Sequence, residues 1–430
     1  EWISDKTRYA CDGLLTQRLD EPYIRKDNKL SVVEWSEALA KVTSYLNEYK
    51  VDEIAFLSGD LCDLETLYLY KKLSDALSIK NVECRQEGCN IPFTHPSQYS
   101  FNTKIADIEK SDCILIVGSN VRQEAPIINA RIRKHKLATN VPIAVIGANL
   151  DLTFEYDHLG EDLNLLSDLI SNKNNFSKII EAAANPMIII GNSILNRKDS
   201  ISIFSVIEEL IHKYKFLQDD WNGFNVLQIA AARTGALNLG LYKQGSSLEK
   251  IYCAAEDDKI KLIISLGADE INFDRLKGAK VIYIGTHGDK GANKADIILP
   301  SAAYTEKDGI YINTEGRLQY AFKASFPPGN AKEDWKIINE LSNLLDLNWD
   351  IIDLSNVRSM LQSDFSHLFN FDSSAYPKYE RLLANKAPVT NLCNSNVEYV
   401  IKDFYLTNAI TRNSKTMAEC SQARNELLEQ

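Results

Sequence analysis

Three residues that lie close together in the sequence carry side chains able to bind a metal. Cys84 and Cys89 are separated by four residues, and His95 follows them. Thiolate sulphur and imidazole nitrogen are common ligands of tetrahedral zinc, and thiolates also hold iron-sulphur clusters. A closed site of either kind needs about four ligands, commonly with a C-x2-C pair, and no second pair follows this one. Ordinary thiols in a loop are therefore the favoured interpretation, and a metal site is the alternative.

The remaining reactive side chains do not form a catalytic pattern. None of the histidines has the i, i+4 spacing with a glutamate that marks a helical zinc site, so we expect polar surface or cap residues at these positions. The six are His95, His135, His158, His212, His287 and His367. A G-x-S-x-G elbow and a P-loop are both absent from the sequence, which removes the best support for acyl transfer and nucleotide hydrolysis. The sequence therefore identifies no catalytic residue.

Two glycine-containing turns follow apolar runs and could contact a ligand. Residues 286–291 follow the run 281–285, and their backbone N–H groups could hold an anion. An ordinary strand-to-helix turn is the favoured interpretation. Residues 117–120 end a second run, at a place where ligands sit in open α/β sheets. There, an ion pair between Arg122 and Glu124 that fixes the loop explains the residues at least as well as a ligand contact.

The densest basic cluster lies at residues 131–136. It consists of Arg131, Arg133, Lys134, His135 and Lys136. Such a run is usually a solvated helix face, and docking on an acidic partner subunit is the alternative. The whole chain has 59 acidic and 48 basic residues and a net charge of -11, so we do not expect it to bind nucleic acid.

The elements that must position these residues indicate a parallel α/β fold. Most of the predicted strands are continuous Ile/Val/Leu segments that end at glycine, which is typical of strands covered by helices on both faces. The predicted strands are 54–58, 113–118, 143–147, 187–191, 262–266, 281–285 and 296–299. Helical spacing predicts crossover helices over 35–42, with Ser31 or Ser36 as the N-cap, and over 203–211.

Length and composition predict several units along the chain. With 430 residues and 45% apolar side chains, the chain can bury a large core. We expect an irregular leading segment over 1–30 that packs on the first sheet, a first α/β lobe over 31–160 and a second over 161–346. The polar stretch 151–175 is the predicted crossing between them. Residues 347–430 are predicted to be a tail with short helices that lies over a neighbouring subunit.

The sequence shows neither a membrane-spanning segment nor a secretory signal. No apolar stretch approaches the roughly 20 residues of a spanning helix, so no direct membrane span is expected. No secretory signal follows Glu1. Dispersed cysteines in a long, lysine-rich chain are typical of reduced thiols in a cytosolic or matrix compartment. They are Cys11, Cys62, Cys84, Cys89, Cys113, Cys253, Cys393 and Cys420.

Two stretches of sequence resemble the molybdopterin oxidoreductase superfamily. In the first, Arg18-Leu19, Pro22 and Trp35 with Ala38-Leu39 stand in the order found where the cluster domain of that superfamily joins its first α/β domain. The second stretch is similar to the later core of the same superfamily. It comprises residues 295–300, 305–309, 313–317, 327–329 and 334–335.

Within the superfamily, further details are similar to the large iron-sulphur subunit of respiratory NADH:quinone oxidoreductase, complex I. They are residues 1–8, 124–126 with 129–133, 151–153 with 156–160, and 416–418 with Cys420. The motif residues also have a structural interpretation. Glu306 and Glu315 can accept hydrogen bonds from backbone N–H groups, and Arg317 can form a bidentate pair with one of them.

The resemblance implies two Rossmann-like parallel-sheet lobes of the molybdopterin oxidoreductase type, followed by a mostly irregular and helical tail. It implies that the full subunit passes electrons along 2Fe-2S and 4Fe-4S clusters whose ligands lie upstream of Glu1. No catalytic, cofactor-binding or metal-binding residue is therefore assigned in this chain. Active members of the superfamily hold molybdenum or tungsten through a pterin, and the surroundings of residues 84–90 do not match the expected ligand position. No molybdopterin is expected here.

The resemblance also implies partners and a location. We expect contacts with the flavin-containing, NADH-binding subunit and with the quinone-arm subunits of the translocating complex. The location would be peripheral, on the cytoplasmic side of the bacterial inner membrane or the matrix side of the mitochondrial one. Two alternatives stay open. One is a fragment of a molybdopterin enzyme such as formate dehydrogenase, and the other is a free-standing small-molecule binding module that uses the loops at Gly118 and Gly285.

Overall fold

The computed structural model describes residues 3–89, 93, 95–243, 246–370, 392 and 397–428. The strands are β1 Tyr23–Lys26, β2 Lys29–Val32, β3 Ile54–Ser58, β4 Asn81–Glu83, β5 Cys113–Val117, β6 Ile143–Ile146, β7 Asp157–Gly160, β8 Pro186–Ile190, β9 Leu217–Gln218, β10 Trp221–Asn222, β11 Phe224–Val226, β12 Leu262–Leu266, β13 Lys280–Gly285, β14 Ile297–Pro300, β15 Gly309–Ile312 and β16 Leu318–Ala321. The α-helices are α1 Asp5–Tyr9, α2 Trp35–Glu48, α3 Leu64–Ala76, α4 Val121–Glu124, α5 Pro126–Thr139, α6 Leu165–Ile170, α7 Phe176–Ala182, α8 Asn192–Leu195, α9 Ser200–Lys213, α10 Arg233–Leu239, α11 Leu248–Glu256, α12 Lys290–Lys294, α13 Asp334–Leu344, α14 Leu354–Asp364, α15 Ala409–Arg412 and α16 Lys415–Leu428.

One sheet has seven strands in the order β2-β1-β14-β13-β12-β3-β4. The strands from β14 to β4 are parallel, whereas β1 pairs antiparallel with β14 and with β2. Every residue of β3 and β12 is buried, because both faces of the sheet are covered. Parallel pairing brings the carboxyl ends of β3, β12 and β13 to one edge of the sheet.

The edge hairpin of this sheet lies in the segment predicted to be irregular. A two-residue turn, Asp27-Asn28, connects β1 to β2, and both residues have positive φ angles of 51° and 61°. Two-residue hairpin turns of this kind favour asparagine, aspartate and glycine, because these residues tolerate positive φ. The residues Asp27-Asn28 therefore indicate a hairpin at this position from the sequence alone. The segment does pack on the sheet, as expected, because β1 pairs with β14.

The second sheet has five parallel strands in the order β11-β8-β5-β6-β7. All of its strands come from the part of the chain between β4 and β12. The five-stranded unit is therefore an insertion in the seven-stranded sheet, which contains strands from before and after it. The predicted boundary at residue 160 separates β7 from β8, which belong to the same sheet, so the predicted lobes 31–160 and 161–346 do not correspond to the two sheets. The polar stretch 151–175 contributes β7 and α6 to the five-stranded unit and is not a crossing between sheets.

The seven predicted strands are all present, within one residue at each end. The helices predicted from periodicity are confirmed as α2 and α9. The N-cap of α2 is Glu34, however, and neither Ser31 nor Ser36. Apolar periodicity fixes where a helix lies, but its first residue depends on where the backbone leaves the extended conformation.

The described part of the tail packs on the chain itself. Val357 and Leu361 of α14 are fully buried. Tyr68 of α3 donates a hydrogen bond to Asp364 over 2.6 Å. The helices α15 and α16 pack against a 3-10 helix at Ala10–Leu15. The short helices are as predicted, whereas contact with a neighbouring subunit stays a prediction. Among the described helices, none combines the length and apolarity needed to cross a bilayer.

Candidate ligand crevice between the two sheets

The carboxyl ends of the strands in both sheets face a common cleft, which we call the inter-sheet cleft. Asp60 follows β3 and Glu270 follows β12, while Glu124 follows β5 and Ala230 follows β11, and all four line a cleft of about 710 Å³. A smaller cavity of about 60 Å³ adjoins it beside Cys62. Ligands of open α/β sheets bind at such edges, so the inter-sheet cleft is the candidate functional site.

A buried arginine links two carboxylates on one wall of the cleft. Arg233, at the start of α10, is 2% exposed. One of its guanidinium nitrogens lies 3.3 Å from Asp60, and another contacts Glu87. Burial raises the pKa of Asp60 to about 6, although the charge of Arg233 acts to lower it. The group is a compact ion triad in which one guanidinium faces two carboxylates.

Asp269 accepts a hydrogen bond from a backbone N–H group at the start of α12, the helix that follows β13. Its carboxylate accepts hydrogen bonds from Gly291 N over 3.2 Å and from the Tyr283 hydroxyl over 2.7 Å. Phosphates and other anions commonly bind at such N–H groups. Burial raises the pKa of Asp269 to about 6. A carboxylate of the chain itself therefore occupies this anion position.

Glu124 also accepts hydrogen bonds from backbone N–H groups, at the edge of the five-stranded sheet. Its two oxygens accept hydrogen bonds from Asn120 N over 3.2 Å and from Asn192 N over 3.0 Å. These N–H groups follow β5 and β8, and burial raises the pKa of Glu124 to about 7. The predicted ion pair of Glu124 with Arg122 is wrong, because Arg122 contacts Asp151 over 2.6 Å at the surface.

A third carboxylate caps the helix that follows β3. Asp63 accepts a hydrogen bond from Thr66 N over 2.8 Å at the start of α3. Its second oxygen lies 2.7 Å from the ammonium of Lys307, which also contacts Asp334. Lys307 is 4% exposed, and the two aspartates raise its pKa against the opposing effect of burial. The cation thus holds α3 and α13 to the loop before β15.

The residues singled out for metal binding do not converge. Cys84 and Cys89 are each 2% exposed, and burial raises the pKa of Cys84 to about 12. The ring of His95 instead accepts a hydrogen bond from Ser97 N over 3.2 Å. Within the described ranges, no group of three or more His, Cys, Asp or Glu side chains is arranged to hold a metal. None of the seven described cysteines forms a disulfide, and Cys393 and Asn90 lie outside the described residues.

Two histidines were wrongly assigned to the surface or to caps. His135 and His287 are buried, and their Nε2 atoms contact the carbonyl oxygens of Ser111 at 2.6 Å and Gly13 at 2.8 Å. Single-sequence patterns do not distinguish a buried histidine with a carbonyl partner from an exposed one. The turn 286–291 is a strand-to-helix connection, as favoured.

The basic cluster lies on α5 and makes contacts within the chain. Arg131 and Lys134 contact Glu109 at 3.1 Å and 2.9 Å. Lys134 is 70% exposed, as expected of a solvated helix face. Arg133 donates a hydrogen bond to the carbonyl of Thr153 over 3.0 Å. Docking of this face on a partner stays a prediction.

The glutamates of the later motif accept backbone hydrogen bonds, as predicted. Glu306 accepts from Ala303 N, and Glu315 accepts from Ile105 N, each over 2.8 Å. The predicted bidentate pair with Arg317 is wrong. Arg18 supplies the guanidinium and binds Glu306 over 2.5 Å and 2.6 Å. Arg18 is one of the residues that carried the first resemblance, so the pair joins the two motif stretches.

Comparison with protein families identifies two regions of the chain. Residues 18–344 match the molybdopterin oxidoreductase family model. Residues 376–420 match the model of the C-terminal region of the NADH-ubiquinone oxidoreductase G subunit.

Curated relatives cover nearly the whole chain. An NADH-quinone oxidoreductase G subunit from Rickettsia bellii is 38% identical over 99% of this chain and 61% of its own length. The mitochondrial NADH-ubiquinone oxidoreductase 78 kDa subunit of Neurospora crassa is 37% identical over 99% of this chain and 58% of its own length. The chain thus spans about three fifths of the length of these relatives.

Solved structures share the fold at low sequence identity. The formyltransferase/hydrolase complex of Methylorubrum extorquens has a chain with a TM-score of 0.57 and 13% identity, covering 76% of this chain and 99% of its own length. Acetylene hydratase from Pelobacter acetylenicus gives a TM-score of 0.50 and 13% identity, covering 83% of this chain and 65% of its own. The parallel α/β fold inferred from the sequence and the resemblance to the complex I subunit are both confirmed. The chain belongs to the molybdopterin oxidoreductase family, and its relatives include G subunits of NADH-quinone oxidoreductases.

Proposed function

We propose that this chain is a structural part of the large iron-sulphur subunit of a proton-pumping NADH:quinone oxidoreductase, without a catalytic centre of its own. The observation that carries the proposal is that carboxylates of the chain accept the backbone N–H groups after the strand ends beside the inter-sheet cleft. Glu124 lines the cleft and accepts from Asn120 N and Asn192 N, and Asp269 lines the adjoining small cavity and accepts from Gly291 N, at positions where a family member would bind an anionic ligand.

The residues of the cleft do not fit a pterin cofactor. Its phosphates need N–H or cationic donors, and the strand-end N–H groups already serve Asp269 and Glu124. Of the lysines that line the cleft, Lys290 lies 3.9 Å from Glu270, and burial lowers the pKa of Lys6 to about 8. A metal held by a pterin also needs a thiolate or similar ligand. Cys62 lies on the wall of the small cavity, but burial raises its pKa and its thiol donates to the Leu266 carbonyl over 3.5 Å. Cys84 has a raised pKa for the same reason. We derive no chemical step through this cofactor.

In this proposal, the 2Fe-2S and 4Fe-4S clusters belong to the part of the relatives that this chain does not cover. Electrons pass from NADH to quinone through the whole complex, and this chain supplies packing surfaces to other subunits. Its partners are the flavin-containing subunit and the quinone-arm subunits. The location is peripheral, on the cytoplasmic face of a bacterial inner membrane or the matrix face of a mitochondrial one. A formate dehydrogenase fragment is less well supported, since complex I subunits match over 99% of the chain.

A substitution in the assembled complex distinguishes a structural role from a catalytic one. Arg233→Leu removes the buried cation between Asp60 and Glu87, and a buried carboxylate pair without its cation is strongly destabilising. We expect severalfold less assembled complex and unchanged NADH oxidation per flavin in the complex that remains. Arg122→Leu is the matched control, because it removes an exposed pair with Asp151. A loss of turnover per flavin at a normal amount of complex contradicts the proposal, and so does normal assembly of Arg233→Leu.

A further inference from the structure

The tail of the chain crosses the inter-sheet cleft, and one end of the crossing lies on the five-stranded sheet. The hydroxyl of Tyr399 accepts a hydrogen bond from Ala148 N over 3.1 Å, directly after β6. A Cβ atom built on Gly147 would lie 2.8 Å from this hydroxyl. The glycine at this position therefore allows the tail to approach the end of β6 closely.

The other end of the crossing lies on the seven-stranded sheet. The Arg412 guanidinium donates a hydrogen bond to one oxygen of Glu270 over 2.8 Å, and a second guanidinium nitrogen lies 2.8 Å from the other oxygen. Its Nε donates to Asp289 over 2.7 Å. The side chain of Arg412 is 16% exposed, and its partners are 24% and 15% exposed. Hydrogen bonds between charged groups are stronger than neutral ones, and these are largely shielded from water.

Between these ends, the tail itself forms part of the cleft wall. Residues 400–408 line the inter-sheet cleft with few interruptions. The ammonium of Lys6 lies 4.9 Å from the Phe404 ring centroid and donates to Thr407. Beyond Arg412, the chain is held by Asp12, which accepts from Thr416 N over 3.0 Å. The crossing segment is thus fixed at both ends and in the middle.

We propose that residues 397–412 form a strap that closes one side of the cleft between the two sheets, with Arg412 as its latch. The strap places Tyr399 and Arg412 at the two strand edges where a ligand would otherwise bind, and it ties the sheets to each other. The inference does not depend on the proposed role in electron transfer. Its direct consequence is that groups beneath the strap are shielded only while the latch is closed.

Cys62 is a natural reporter of the strap. It is 8% exposed and lines the small cavity together with Asn408, Ala409 and Ile410 of the strap. Cys113 is 1% exposed in the core of β5, away from the strap, and reports global unfolding. Labelling both thiols with N-ethylmaleimide and quantifying each by mass spectrometry separates local opening from unfolding.

We expect Arg412→Ala in the 430-residue chain to raise the labelling rate of Cys62 at least roughly tenfold and to leave that of Cys113 unchanged. Arg275→Ala is the matched control. Arg275 also binds two carboxylates, those of Glu249 and Glu256, but these are exposed and do not line the cleft, so Cys62 should stay protected.

A second, milder substitution tests the strap if Arg412→Ala does not fold. Arg412→Lys keeps the charge and loses the planar guanidinium that donates to Glu270 and Asp289 together. Selective labelling of Cys62 in either variant supports the strap. Three results would overturn it: protection of Cys62 in both variants, equal labelling of Cys62 and Cys113 in both, or the same exposure of Cys62 in Arg275→Ala.

Discussion

Replacement of Asp269 by asparagine should stabilise the protein, and more so at high pH. The side chain is 6% exposed, and burial raises its pKa from 3.8 to about 6. The oxygen of asparagine can still accept from Gly291 N, and its amide can donate to the Tyr283 oxygen, which reverses the wild-type bond and leaves the Tyr283 O–H without its acceptor. The substitution therefore removes a buried charge and loses one hydrogen-bond acceptor, a loss of about 1–3 kcal/mol at most.

The magnitude follows from the shift in the pKa of Asp269. A raised folded-state pKa of about 6 against 3.8 corresponds to about 3 kcal/mol of cost for the ionised form, since one unit is about 1.4 kcal/mol. Below the unfolded pKa, the carboxyl is protonated in both states and the cost vanishes. As the pH rises through the interval between the two values, the wild type loses stability, and above the folded pKa the full cost is present.

Urea unfolding of both proteins between about pH 5 and pH 8 measures this difference. We expect Asp269→Asn to be more stable by up to about 3 kcal/mol at pH 8, and this advantage to be about 1.5 kcal/mol smaller at pH 5. Asp151→Asn, at an exposed carboxylate, is the control and should show no such gain. The reasoning is refuted if Asp269→Asn is less stable than the wild type at pH 8, or if its advantage does not change with pH.

Two further substitutions test the packing around the cleft. Gly147→Ala should lower the free energy of unfolding by about 1–3 kcal/mol, because the residue has a φ of 144° and the new methyl group would lie 2.8 Å from the Tyr399 hydroxyl. A melting temperature equal to that of the wild type contradicts this contact. Lys307→Met should cost about 3–5 kcal/mol in urea unfolding, because it leaves Asp63 and Asp334 buried without their cation. Unchanged stability would show that the cation does not hold these helices.

The strands were predictable from the sequence because burial on both faces makes them continuous apolar runs. The runs 54–58 and 262–266 match β3 and β12 residue for residue. Their pairing was not predictable, because a run identifies a strand but not its neighbour. The insertion of the five-stranded unit between β4 and β12 was missed for this reason. The hairpin at Asp27-Asn28 was missed although its turn residues carried a local signal.

The cleft was partly predictable. The turns after β5 and β13 were correctly placed at strand ends, and Glu124 was noticed with the wrong partner. Asp269 and Arg412 were not noticed, because single charged residues in a sequence do not show that they will meet in the fold. Their roles depend on tertiary contacts between distant parts of the chain. The motif resemblance identified the family, but it contained no information on which residues line the inter-sheet cleft.

The most direct test of the account is the cofactor content of the complex that contains this chain. Iron, molybdenum and tungsten are measured by mass spectrometry, and pterin is measured by fluorescence after oxidative release. If the chain's own carboxylates and strap take the strand-end positions beside the cleft, iron is present while molybdenum, tungsten and pterin stay at background. About one pterin with one molybdenum or tungsten ion per chain would contradict the account.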